Sequence, residues 1–419
     1  MKAWSESPPT TSGATALAGT LPPQSRPRVG LVAHTPFWMF DHGRELSQRG
    51  WDVRLCTATP AWLVDPRVAR EIHVKLGWAT WAQALRRLGR LGIDLPESWF
   101  TWMGRRARSE FVSWAARQMD GVEIVDALSS WGLEAGRAVK GRGGRYVCSR
   151  GSSHILFQKT ILEEEFARWS PGKLNGFPDW IVERELAEYE TADAIAVPSG
   201  FVLRTFLAHG VPAHKLHLCP YGANLGLYSP RPRHDDRFRV LFVGTVSIRK
   251  GIGYLLEAMR PLVQRNLAEL WLVGAPSPDA RDLLARHGDL FTHKGFVPPA
   301  RLAETYSQGS VLVLPSIEEG LGRVQVQGMA CGVPVIATSN TGAEDVLTDG
   351  QEGFIVPIRD SQAIRERLEW MIAHPTERQQ MGQAAVQRVR SIGGWHAYGV
   401  AVEWMYHGLL HPQTLPRAS

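Results

Sequence analysis

Several features are missing from this chain of 419 residues, and each absence closes a class of function. The four cysteines, Cys56, Cys148, Cys219 and Cys331, lie far apart and form no CxxC pair. A disulfide framework and a cysteine-based metal site are therefore not expected. Cys56, Cys148 and Cys219 lie in or beside apolar strand-like runs, which predicts reduced, buried thiols and a cytoplasmic protein. No run of about 18 apolar residues is present, so a transmembrane helix is not expected. The first residues, Met1 to Gln24, have no apolar core and are rich in Ser, Thr, Pro and Gly, so residues 1–26 read as a disordered leader and not as a signal peptide. No GxGxxG follows the first strand-like run, so the dinucleotide fingerprint is missing. There is no internal repeat, and no helix-turn-helix or aromatic-plus-basic RNA signature, so nucleic acid is not an expected partner.

What remains is a globular composition, 44% hydrophobic and 21% charged, with a net charge of +6. A positive balance favours anionic partners: nucleotide phosphates, a lipid phosphate or a membrane surface. The length suits two domains. Short β-like runs alternate with helix-like segments, the signature of parallel sheets flanked by helices, so the expected class is α/β. Strands are predicted at Val29–Ala33, Asp52–Thr57, Gly121–Ala127, Arg145–Ser149, Ala194–Pro198, Leu216–Pro220, Arg239–Val243, Leu270–Val273, Val311–Leu314 and Val335–Ile336. Helices are predicted at Glu45–Arg49, Ile155–Arg168, Trp180–Glu190, Phe201–His209 and about Trp395–Leu410. Proline and charge cluster in Tyr228–Asp236, which places a linker there. The expected domains are 27–228 and 229–394, with 395–419 as a terminal helix returning to the first.

The most informative stretch runs from Leu312 to Thr338 and reads LVLPSIEEGLGRVQVQGMACGVPVIAT. An apolar strand leads into an acidic Gly-x-Gly loop, then a helix, then a second strand. Strand, glycine-rich loop and helix are the parts of a nucleotide-type site. Upstream, Arg249 and Lys250 follow the strand Leu241–Val243 and the turn Gly244-Thr245, and Gly251 opens a helix. Two cations beside free backbone N–H groups suit an anion. As a bare pattern, a charged surface helix entry fits equally well.

The full stretch resembles the retaining nucleotide-sugar glycosyltransferases of family 4, the glycosyl transferases group 1, whose usual text is PSxxEGFGxxxxEAMACGxPVVAT. The resemblance implies a GT-B architecture, with two Rossmann-like domains facing across a cleft and a C-terminal helix crossing back. It also implies a metal-independent transferase that needs no cofactor beyond its nucleotide-diphosphate sugar. In this likeness Arg249, Lys250 and Gly244 hold the donor diphosphate. Glu319 contacts the sugar, the backbone of Gly320, Leu321 and Gly322 positions the ring, and Phe296 and Val297 meet the base. His154, after the strand ending at Ser149, matches a histidine that faces the donor sugar, so His154 and Glu319 would frame the reacting carbon. A structural histidine is the other reading. The chain departs from the pattern at Gln327, where the second motif glutamate grips the ribose. A neutral amide can still donate and accept there, without the charge-assisted strength.

The first half departs further. Where relatives have a Gly-Gly loop, this chain has His34-Thr35-Pro36-Phe37-Trp38-Met39-Phe40-Asp41-His42-Gly43. Trp38 could offer a stacking surface to a sugar, lipid-linked or other hydroxyl acceptor, or the segment could be an ordinary packed turn. Arg150 is a companion candidate for phosphate or acceptor. From Trp78 to Arg117 the chain mixes Trp78, Trp81, Trp99, Trp102 and Trp114 with Arg86, Arg87, Arg90, Arg105, Arg106 and Arg108. Such a segment fits peripheral contact with an anionic membrane, or a core-covering helix with solvated arginines. A GT-B phosphorylase and a catalytically weak scaffold subunit are the alternative functions.

Overall fold

The structure, a computed structural model, describes residues 27–77, 97–170 and 177–412. The leader 1–26 and Trp78, Trp81, Arg86, Arg87 and Arg90 lie outside the described residues, and at Trp99 only the backbone is described. The chain forms two compact units. Of the described residues, the first takes 27–77, 97–148, 191–193 and 399–412; the second takes 149–170, 177–190 and 194–398.

Two sheets organise the chain. The first contains β1 (Arg28–Val32), β2 (Asp52–Thr57), β3 (Glu71–Val74), β4 (Ile124–Leu128), β5 (Arg145–Ser149), β6 (Ala194–Val197) and β7 (Leu216–Leu218), in the order β3-β2-β1-β4-β5-β6-β7. The second contains β8 (Arg239–Val243), β9 (Glu269–Val273), β10 (Thr292–Gly295), β11 (Val311–Leu314), β12 (Val335–Thr338) and β13 (Gly353–Val356), in the order β10-β9-β8-β11-β12-β13. Every pairing of the second sheet is parallel. These are Rossmann-like α/β sheets, as the alternation of elements predicts. Strands covered on both faces read as unbroken apolar runs, and RVLFV of β8 and VLVL of β11 are buried throughout. The edge strand β3, EIHV, is only half-buried, and its polar text hides it from a reading of the sequence.

The helices are α1 (Trp38–Gln48), α2 (Glu97–Arg117), α3 (Leu133–Lys140), α4 (Ile155–Trp169), α5 (Asp179–Thr191), α6 (Gly200–Ala208), α7 (Ile252–Gln264), α8 (Arg281–Arg286), α9 (Pro299–Ser307), α10 (Arg323–Ala330), α11 (Ala343–Val346), α12 (Ser361–Ala373), α13 (Pro375–Ile392) and α14 (Gly394–Leu410). One correction follows at once. The aromatic segment after β1 is helical, because α1 begins at Trp38, about two turns before the predicted helix. Trp38, Met39 and Phe40 point into the core, and Trp38 is 2% exposed. Trp38 therefore offers no stacking surface.

Within the first unit, residues 399–410 of α14 pack on the sheet. Tyr406 donates its hydroxyl to Asp126 Oδ2 at 2.7 Å, and His42 Nε2 lies 3.1 Å from the same hydroxyl. Glu403 accepts from Arg49 and from Trp51 Nε1, each at 3.0 Å. Arg145 Nε donates to Leu409 O at 3.0 Å. All four cysteines are free and buried, and burial pushes the Cys56 thiol up to about 12.

Candidate active site

In the second unit three loops meet at the carboxyl ends of strands, the place where ligands gather in open α/β sheets. They are the turn from β8 to α7 (residues 244–251), the loop from β11 to α10 (residues 315–322), and the segment 150–154 ahead of α4. Glycine makes the approach possible. Gly251 has φ +67°, and a Cβ there would overlap the carbonyl oxygen of Pro315. At Gly320 a Cβ would overlap the carbonyl oxygen of Gly151. Ile317 N donates to Arg249 O at 2.9 Å, joining the first two loops through the backbone.

Glu318, which the sequence reading passed over, is the node of this arrangement. It has no solvent exposure. Its carboxylate accepts from Ser153 N and Ser153 Oγ at 2.8 Å each, from Gln158 Nε2 at 2.9 Å, and from Arg249 Nε at 2.9 Å. Arg249 Nη2 is also 2.9 Å away and reaches Ser152 Oγ at 3.3 Å. Burial is the largest influence on this carboxyl and pushes its pKa up. Arg249 and the Ser153 and Gln158 donors together outweigh it, so the group ionises below its ordinary range. A buried charge persists only when so satisfied.

Lys250 and Glu319 form the second pair, with the Lys250 ammonium against the Glu319 carboxylate. Burial lowers the Lys250 pKa to about 7; the neighbouring Arg249 adds to the shift, and Glu318 opposes it. Arg249 and Lys250 thus stand side by side at the start of α7, as predicted, each with a carboxylate behind it.

Other candidate residues fall differently. His154 is 2% exposed and caps α4, its Nδ1 accepting from Leu156 N at 3.3 Å. Its ring stacks on His209 at 4.4 Å, with Phe206 and Tyr189 around it. Burial, then His209 and Arg150, lower its pKa to about 3, so it stays neutral near pH 7. In this placement His154 caps α4 and packs among His209, Phe206 and Tyr189. Arg150 is likewise committed: it donates to Ser153 O at 3.1 and 3.0 Å and to Gln158 Oε1 at 2.7 Å, and pairs with Glu185 at 2.6 Å. It braces the 150–154 segment. Gly322 N is taken by Thr341 O at 3.1 Å, so of the three residues read as ring-positioning through the backbone, Gly322 is already bonded within the protein. Gly320 and Leu321 are buried in the same loop. Gly244 adopts φ +134°, a conformation only glycine tolerates easily. Phe296, just past β10, is 75% exposed, and Val297 is half-buried.

Gln327, on α10, is 9% exposed and accepts from the buried Tyr306 hydroxyl at 2.9 Å. That bond fixes the orientation of the amide: its oxygen faces Tyr306, and its NH2 group points the other way. Among the described residues no group of three or more His, Cys, Asp or Glu side chains is arranged to hold a metal ion. No described helix is long and apolar enough to cross a membrane.

Residues 237–374, which contain Arg249, Lys250, Glu318, Glu319 and Gln327, match the family profile of glycosyl transferases group 1. More particularly, the chain is 26% identical over 214 residues to the D-inositol 3-phosphate glycosyltransferase of Paenarthrobacter aurescens, covering 46% of this chain and 52% of that protein. It is 28% identical over 282 residues to the alpha-maltose-1-phosphate synthase of Mycolicibacterium smegmatis, covering 58% and 70%. The chain spans about half the length of the first curated relatives it matches. Among solved structures, sucrose-phosphate synthase from Thermosynechococcus elongatus superposes with a TM-score of 0.69 at 22% identity, over 93% of this chain and 100% of that one. Anabaena HepE, solved with UDP and glucose, superposes with a TM-score of 0.68 at 14% identity, over 91% and 99%. At these identities the likeness speaks for the fold, which is that of GT-B glycosyltransferases.

Proposed function

We propose that this chain is a metal-independent, retaining glycosyltransferase of family 4 that moves a sugar from a nucleotide-diphosphate donor to a hydroxyl acceptor. The observation that carries this reading is the Arg249–Lys250 pair at the head of α7, each cation backed by a carboxylate of the Glu318–Glu319 loop, inside the segment matching glycosyl transferases group 1. In the reaction the bond between the anomeric carbon and the diphosphate oxygen breaks, the acceptor oxygen takes its place on the same face of that carbon, and the proton the acceptor hydroxyl gives up passes to the departing diphosphate. Negative charge grows on the departing diphosphate. Arg249, held rigid by Glu318, and Lys250 are fixed cations for that charge, and such preorganised groups supply most of the stabilisation in such reactions.

Donor entry exchanges one ion pair for another. Lys250 turns from Glu319 to phosphate, and Glu319 becomes free to accept from sugar hydroxyls. Gln327 binds the ribose through its NH2 group, and Phe296 and Val297 lie against the base. His154 and Arg150 act one step removed, keeping the 150–154 segment against Glu318. The acceptor is a sugar, a lipid-linked sugar or another hydroxyl compound.

The test is release of nucleoside diphosphate from a panel of nucleotide sugars by the purified protein. Hydrolysis or transfer with one donor, lost in both Lys250→Ala and Glu319→Ala, supports the reading. Silence across the panel, together with no thermal stabilisation by any nucleotide, overturns it. Phosphate-dependent cleavage of a glycoside would assign a phosphorylase.

A further inference from the structure

We propose that Tyr306 is a positioning residue of the donor site: its hydroxyl turns the Gln327 amide so that position 327 offers a ribose a hydrogen-bond donor in place of an acceptor, a role that rests on the reading of Gln327 as the ribose contact. In the text that Leu312–Thr338 resembles, a glutamate stands at this position. Both oxygens of a carboxylate are acceptors, so either can face a ligand and nothing has to orient the group. An amide has one accepting end and one donating end of nearly the same shape. Gln327 therefore needs a neighbour that tells the two ends apart.

Tyr306 is that neighbour. It lies near the end of α9 and has no solvent exposure. Its ring stands edge-on to Tyr228, with centroids 6.1 Å apart and planes at 74°. The hydroxyl donates to Gln327 Oε1 at 2.9 Å, its single hydrogen-bond partner among the described residues. Burial, reinforced by Tyr228 and Cys331, pushes the Tyr306 pKa well above its ordinary value, so the hydroxyl keeps its proton and has to donate it. With the amide reversed, the NH2 group would face that hydroxyl, and a buried O–H would lose its acceptor, which folded proteins rarely tolerate.

The other end of the amide is free. Gln327 is 9% exposed, and its NH2 group has no hydrogen-bond partner among the described residues while solvent still reaches it. A donor at this place binds a lone pair of a ribose hydroxyl and leaves the hydroxyl proton to another acceptor. A carboxylate would take the proton instead. The polarity of the contact is thus set from the neighbouring helix, by a side chain 21 residues away that does not itself meet the ligand.

The experiment is calorimetric titration of the full chain with UDP, ADP and GDP, and with inorganic pyrophosphate as a probe that has no ribose. The proteins compared are the parent, Tyr306→Phe, Gln327→Met and the double variant. Gln327→Met removes both polar ends at similar volume and should raise the Kd of the tightest-binding nucleoside diphosphate by about fivefold. Tyr306→Phe keeps the ring and frees the amide to turn, and should raise that Kd by about threefold. In the Gln327→Met background there is no amide to orient, so adding Tyr306→Phe should leave the Kd unchanged. It should also raise the unfolding temperature there, by removing a hydroxyl that methionine leaves unpaired. Pyrophosphate affinity, which depends on Arg249 and Lys250, should be the same in all four proteins. A packing role for Tyr306 would raise the Kd equally in both backgrounds, and that result overturns the proposal. So does parent affinity in Tyr306→Phe when Gln327→Met binds weakly. Parent affinity in Gln327→Met takes the ribose away from position 327 and the proposal with it, while pyrophosphate binding keeps the cation pair as the diphosphate site. Failure of every probe to bind the parent overturns both readings together.

Discussion

Asp126 in the first unit and Glu318 in the second are both fully buried acidic side chains, and they are satisfied in different ways. Asp126 accepts from the Tyr406 hydroxyl, with His42 3.9 Å away and its pKa lowered to about 3 by burial. These partners are neutral near pH 7, and they fasten the end of the last helix to the sheet. Glu318 instead takes a guanidinium together with neutral donors, and three loops converge on it. A hydroxyl donor such as Tyr406 fixes packing; a guanidinium also sets where a cation points. The difference separates an architectural node from one built into a site, because a nucleotide phosphate is recognised by the placement of positive charge.

Four experiments would break or sharpen that contrast. The largest effect is expected from Lys250→Ala, which removes a cation of the donor site. Turnover of the nucleotide sugar should fall at least about 100-fold in kcat, the usual scale for losing one preorganised group, with the unfolding transition little changed. Retained turnover would show that Arg249 suffices alone. Next comes the isosteric pair Glu318→Gln and Asp126→Asn. Glu318→Gln leaves Arg249 without its counter-charge and should cost about 3 kcal/mol in denaturant unfolding, with a raised donor KM. Asp126→Asn keeps an acceptor for Tyr406 and should cost about 1 kcal/mol, with unchanged kinetics. Equal effects of the two on donor KM would erase the distinction.

The third test is pH. Lys250 is a cation below its pKa of about 7 and neutral above it, so donor binding is expected to be strongest below pH 7. Above pH 7 the donor must bring a proton with it, and the measured Kd should rise by up to about tenfold per pH unit. Lys250→Arg should flatten that profile. Stability follows a separate histidine effect. His42 and His154 have folded pKa values of about 3, below the ordinary histidine value, so the unfolded chain binds more protons than the folded one between pH 3 and about 6.5. Stability should therefore fall as pH drops through that window, independently of Lys250. The smallest effect is expected from Gln327→Glu. A charged acceptor would strengthen the bond from Tyr306 and any bond from ribose, and donor affinity should rise by less than about tenfold, read by calorimetry with the nucleoside diphosphate.

The sequence by itself determined the α/β class, most strand positions, the cation pair at the head of α7 and the glycines that let the loops approach. These rest on local information: apolar runs of strand length, a basic pair at a helix start, and small residues where a Cβ would collide. The fate of individual side chains was not legible in the same way. Glu318 and Glu319 are neighbours in an acidic pair, yet one is enclosed by Ser153, Gln158 and Arg249 while the other meets Lys250. His154 and Arg150 looked like ligand contacts because they follow a strand, but their partners, Glu185, Phe206 and His209, come from distant parts of the chain. Trp38 read either as a stacking surface or as part of a packed turn, and α1 turns it into the core. Only the tertiary structure decided these cases, because burial and hydrogen-bond partnership depend on which elements pack together, while spacing along the chain sets only which residues can share a strand, a helix face or a turn.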